Sequence, residues 1–130
     1  MAKIIIRKKD KFLTQEQFYK LLNDFIKESS AGKRLKKNGS RISDSTIDTY
    51  GYFKRVITLF TEETFFEIKL FIVDHLTQRE KEVAANYWRK FYNDFTSFMY
   101  NKMGYFDNYV GNIIKTLRTF LNYLIQERNI

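Results

Sequence analysis

No proline and only five glycines occur in this 130-residue chain, so little in it interrupts a helix. Against that background the apolar residues recur at three- and four-residue steps, the spacing that lines one face of an α-helix. Thr14 and Gln17 form a capping box ahead of Phe18, Leu21, Leu22, Phe25 and Ile26, which predicts a helix over 15–29 that ends before Gly32. Ser43 or Ser45 caps a second helix over about 45–60, with Ile47, Tyr50, Phe53, Ile57 and Phe60 turned inward. Thr77 and Glu80 make another capping box, before a stripe of Ala84, Tyr87, Trp88, Phe91, Phe95 and Phe98 that runs to about Lys102 and stops at Gly104. A final helix over about 108–127 carries Val110, Ile113, Ile114, Leu117, Phe120, Leu121 and Leu124. The expected class is all-α, a compact bundle of four to five helices.

Two stretches do not fit this pattern. Ile4, Ile5 and Ile6 precede the basic cluster Arg7, Lys8, Lys9 and Lys11, and residues 1–13 read as a basic segment of weak order ahead of a helical domain over 14–130. Residues 61–76 are ambiguous. Thr61, Glu62 and Glu63 resemble a helix start, whereas Phe66, Ile68 and Leu70 alternate with Glu67 and Lys69 as a strand would. A strand there needs a partner that only residues 3–7 offer, so a short helix or an apolar loop over the core is favoured.

The charge of the chain narrows its partners. With 23 Lys and Arg against 15 Asp and Glu, the net charge is +8 and the pI about 9.6, which favours a polyanion. Nucleic acid leads, ahead of an anionic membrane surface. The segment 33–41, KRLKKNGSR, holds five cations in nine residues, and no acid occurs between Glu28 and Asp44. A solvated connector has this composition too, but its position directly before a helix start favours contact with phosphates.

The last helix has an equally one-sided polar face. Asn108, Asn112, Lys115, Arg118, Thr119 and Asn122 lie opposite its apolar stripe, and no acid occurs from Asn108 through Gln126. Amides, hydroxyls and cations of this kind contact phosphates and base edges. The helix starts SDSTIDTY and DNYVGNIIKTL share small polar residues at an end whose free amides favour phosphate, with Asp44 and Asp48 opposing it at the first.

Absences exclude other chemistry. Without cysteine there is no disulfide, thiolate metal site or thiol nucleophile, and His75 is the only histidine, so a multi-histidine metal site cannot form. His75 reads as a structural residue at or near the surface, and the regularly spaced aromatics as core rather than a stacking platform. Tyr92 and Tyr100 are less clearly inward and could meet an interface. No apolar run is long enough for a signal peptide or membrane span. No cofactor is expected, and the location expected is cytoplasmic.

Ser45, Thr46, Ile47 and Tyr50 in the first motif, with Asn108, Tyr109, Val110, Asn112, Ile113, Lys115, Thr116, Leu117, Arg118 and Phe120 in the second, resemble the SAM-like core-binding domain of tyrosine recombinases of the phage-integrase type. The resemblance is strongest to integrases of Bacteroides-like bacteria and their mobile elements, and it covers about 18–128. It implies a helical bundle that closes one side of a clamp around double-stranded DNA, in the bacterial nucleoid. A separate catalytic domain, carrying an arginine-rich site and a tyrosine nucleophile, closes the other side and would follow Ile130. The implied role of this chain is therefore non-catalytic, with self-association on DNA possible.

On that reading Lys33, Arg34, Lys36, Lys37 and Arg41 neutralise phosphates. Thr46, Thr49 and Lys54 of the second helix, and Asn108, Asn112, Lys115, Thr116, Arg118 and Thr119 of the last, face DNA. The departures are a longer, more charged stretch over 62–82 and no room for a separate arm-binding domain. The rival from another class is a helical protein-interaction module whose basic charge is incidental.

Overall fold

The computed structural model describes residues 6–128. Helices dominate: α1 is Gln15–Ser30, α2 is Asp44–Thr64, α3 is Gln78–Ser97 and α4 is Asp107–Arg128. The first three begin on side-chain caps. Thr14 and Thr77 form capping boxes with Gln17 and Glu80, and the Ser43 hydroxyl accepts from the Thr46 amide. Glu80 is held below the usual carboxylate range, chiefly by the Thr77 amide it accepts from, and further by Lys11.

Two aromatic clusters join the helices. Phe25 of α1 lies 4.7 Å from Tyr50 of α2, 5.3 Å from Phe120 and 5.0 Å from Tyr123 of α4, centroid to centroid. Phe60 of α2 lies 5.9, 5.1 and 5.5 Å from Phe91, Phe95 and Phe98, which fixes α3 and its extension on α2. Tilted and edge-to-face rings at these separations gain about 0.5–1.5 kcal/mol per pair beyond area burial. The regularly spaced aromatics are thus core, as their helical spacing predicts.

α2 is longer than the 45–60 predicted. Thr61 is buried and its hydroxyl sits 2.8 Å from that of Tyr19 in α1, so the helix gains by continuing past Phe60. It stops at Phe65, which adopts a left-handed conformation (φ 58°, ψ 21°) as a C-cap. α3 passes without a break into a wider π-type turn, Phe98–Lys102, closed by the Met103 amide donating to the Phe98 carbonyl at 3.0 Å. Gly104, at φ +69°, then lets the chain turn into α4.

The ambiguous segment resolves in three parts. Residues 61–64 complete α2, Leu70–Phe71 form a short strand (β2), and Val73–His75 make a single 3₁₀ turn. β2 pairs antiparallel with Phe12–Leu13 (β1), so its partner is not the 3–7 run proposed from the sequence. Residues 3–5 of that run lie outside the described residues. Leu13 and Leu70 bring apolar side chains into the core from a pairing only two residues long.

The sequence predicts weak order through residue 13, yet residues 10–13 are tied in. The Ile72 amide donates to the Lys11 carbonyl, His75 Nδ1 lies 2.7 Å from the Asp10 carbonyl, and Lys11 Nζ contacts Glu80 at 3.2 Å. His75 is half-buried and structural in this setting.

Candidate nucleic-acid interface

α2 and α4 pack against each other, and both also contact α1. Their outward arcs are therefore neighbours on one side of the bundle. Tyr109 in the first turn of α4 marks the seam. Its phenol is raised by burial and by the nearby Tyr105 and Tyr52 phenols, with Arg55 of α2 opposing the shift. The Tyr105 and Tyr109 rings lie 4.4 Å apart.

The polar residues predicted on α4 do not form one stripe. Asn108, Asn112, Lys115 and Arg118 are exposed and Thr119 is half-buried, its hydroxyl donating to the Lys115 carbonyl at 3.0 Å. Thr116 is only 5% exposed and donates to the Asn112 carbonyl at 2.9 Å, so its hydroxyl is not offered outward. A signal for this existed. Thr116 stands three residues after Ile113 and four before Phe120, on the buried arc. Lys115 and Arg118 line a groove of about 330 Å³ that α4 shares with Tyr92, Thr96 and Tyr100. Tyr100 donates to Asp107 at 2.9 Å, which raises its phenol. Tyr92 and Tyr100 are both exposed.

On α2 the N-terminal hydroxyls are engaged locally. Ser43 lies 2.9 Å from Thr46, and Thr49 donates to the Ser45 carbonyl at 3.1 Å. Lys54 is half-buried and precedes Thr58 and Thr61 by one and two turns, which sets it on the side that meets Tyr19 of α1 rather than on the α4 side. Arg55 and Tyr52, absent from the predicted site, approach α4 instead. Arg55 is exposed one turn after Gly51, a signal available from the helical wheel alone.

The 33–41 segment is an ordered turn. Leu35 and Arg41 form an isolated bridge, the Lys36 amide donates to Ser40 O at 2.9 Å, and Gly39 has φ +84°. Lys33, Lys36 and Lys37 are exposed on it. Arg41 is exposed but donates to the Ser30 carbonyl at 2.7 Å, closing the end of α1. Arg34 points inward. Its guanidinium stands 4.7 Å above the Phe25 ring and 5.8 Å from that of Tyr123, Nη1 donates to Ser29 Oγ at 3.3 Å, and Nε lies 3.8 Å from Glu127. Of the five loop cations only Arg34 has an ion pair among the described residues; Arg41 is held by the Ser30 carbonyl, and Lys33, Lys36 and Lys37 are presented outward.

Lys54, Arg55, Lys115 and Arg118 likewise have no ion pair among the described residues. No group of three or more His, Cys, Asp or Glu side chains is placed to hold a metal among them, and no described helix is long and apolar enough to cross a membrane. Comparison with protein-family models, with curated proteins and with solved structures gives no match.

Proposed function

We propose that this chain is a DNA-binding module of the core-binding type found in tyrosine recombinases, which seats the enzyme on its crossover site and performs no chemistry itself. The observation that carries the reading is the adjacency of α2 and α4: Arg55 of α2 approaches the first turn of α4, whose exposed arc carries the amides Asn108 and Asn112 and, toward α3, Lys115 and Arg118, and none of these three cations has an ion pair among the described residues. Such a mixture suits a phosphate backbone flanking readable base edges. Lys33, Lys36 and Lys37 extend the positive surface next to the start of α2 and suit phosphates further along the duplex.

Arg34 and Thr116 have no part in this contact, since the Arg34 guanidinium is turned inward over Phe25 with Nη1 on Ser29 and the Thr116 hydroxyl is bonded to the Asn112 carbonyl. The family resemblance of SDSTIDTY and DNYVGNIIKTL gives the reading its second support. On this reading the protein works in the bacterial cytoplasm, at the nucleoid, with a catalytic domain that holds the tyrosine nucleophile and the cationic cluster needed for phosphoryl transfer.

Fluorescence anisotropy with labelled duplex DNA tests the proposal. Non-specific binding at about 10⁻⁴ to 10⁻⁶ M is expected, weakening steeply between about 50 and 200 mM salt. Absence of binding, or binding indifferent to salt, contradicts it. A covalent adduct formed by this chain alone, and lost on changing one of its tyrosines to phenylalanine, would contradict the non-catalytic role.

A further inference from the structure

Three of the five glycines have an evident reason to be glycine. Gly32, Gly39 and Gly104 sit at φ +76°, +84° and +69°, where other residues are strained. Gly51 and Gly111 have none. Each lies inside a helix, is exposed, and would meet no atom within 4 Å if it carried a Cβ. Glycine is a poor helix residue, so neither packing nor backbone geometry accounts for them. They occur one each in α2 and α4, while α1 and α3 contain no glycine.

Both stand in the same local setting. Arg55 follows Gly51 by four residues and Lys115 follows Gly111 by four, both exposed and without an ion pair among the described residues. Helical side chains lean toward the N-terminus, so each cation leans back over the turn its glycine leaves bare. At Gly111 that bare turn forms part of the 330 Å³ groove, whose rim carries Arg118, Lys115 and the Asp107 carboxylate that accepts from Tyr100.

We propose that Gly51 and Gly111 are close-approach points, where the helix backbones of α2 and α4 come against the sugar-phosphate strands of duplex DNA and the neighbouring cation takes the phosphate. This rests on the DNA-binding reading and adds the two residues that set how deeply the helices seat. Phosphodiester is favoured over an acidic protein because the bare turn at Gly111 shares its stretch of α4 with the exposed Asn108 and Asn112, whose amides match base edges.

The test exploits opposite signs. Gly51→Ala and Gly111→Ala improve helix propensity in open space, so each should raise the Tm by about 3–6 °C. Each should also weaken duplex DNA binding by about tenfold, the loss of roughly one charge-assisted contact, and the glutamine variants should weaken it more. Ala85→Gln, adding bulk at an exposed position of α3, should leave binding unchanged.

Stabilised glycine variants that bind DNA as the parent does overturn the inference while leaving the DNA-binding reading intact. A parent chain that binds no DNA overturns both. Loss of binding to a poly-glutamate peptide with DNA binding retained also overturns it, and assigns these faces to an acidic protein.

Discussion

Arg128 Nε donates to the Tyr123 hydroxyl at 3.0 Å, and that hydroxyl in turn donates to the Glu28 carboxylate. The guanidinium also reaches Asp24 and Glu28 at 3.2 Å through Nη2, so the last turn of α4 is fastened to α1 by four side chains. Charge-assisted hydrogen bonds in a half-buried setting are worth more than exposed ion pairs. Arg128→Ala, which leaves two carboxylates facing a phenol, should cost about 1.5–3 kcal/mol in urea unfolding. A loss within about 0.5 kcal/mol, the range of ordinary surface substitutions, would show that this network contributes nothing to the fold.

The same phenol makes stability depend on alkaline pH. Burial, then the hydrogen bond to Glu28, pushes Tyr123 up to about 12, and burial does the same to Tyr87, whose hydroxyl donates to the Glu67 carbonyl. A tyrosine ionises near 10 when unfolded, so the folded state holds these protons more tightly. Their contribution is complete below about pH 10 and is lost as pH rises toward 12. Stability followed through that window should fall, and the fall should be shallower in Tyr123→Phe and in Tyr87→Phe. Equal slopes in parent and variants would contradict the assignment.

The loop cations divide by what they touch. Replacing Lys33, Lys36 and Lys37 with alanine should lower affinity for all DNA sequences alike and flatten the salt slope by up to about 0.9 per lost phosphate contact, with the Tm unchanged. Arg34→Ala should do the reverse, costing about 1–3 kcal/mol of stability through the lost stacking on Phe25. A stable Arg34→Ala variant with reduced DNA affinity would return that residue to the surface role predicted from the sequence.

Much of the bundle was legible because caps and stripes agree. Thr14, Ser43 and Thr77 mark three helix starts, and Gly104 marks the turn before the fourth. The β1–β2 pairing was not, since two residues per strand carry no periodicity and the partner of Leu70 lies 57 positions away at Leu13. The site was legible only as a polar arc. A helical wheel says which residues avoid the core, but not which edge of the arc a neighbouring helix covers. Lys115 and Arg118 therefore read alike with Asn112, though they border the α3 groove, and Arg34 read as surface although an aromatic pair draws it inward.

Phe65 combines a left-handed backbone with a side chain that is 89% exposed, so its ring returns nothing to the fold for the strain it imposes. Phe65→Gly should leave stability unchanged or raise it by up to about 1 kcal/mol, the strain relieved offsetting the greater freedom of the unfolded chain. A loss above about 1 kcal/mol in thermal unfolding would mean that the ring packs on something the isolated bundle needs.

The most direct test of the account is amide chemical-shift mapping of the isotope-labelled chain titrated with duplex DNA at low salt. The account predicts shifts concentrated at Gly51 and Arg55 of α2, at Asn108, Gly111, Asn112 and Lys115 of α4, and at Lys33, Lys36 and Lys37, reversing as salt is added. Shifts confined to residues around Phe65 or Trp88, or no shifts at all, would contradict the claim that α2 and α4 together form a DNA-binding face.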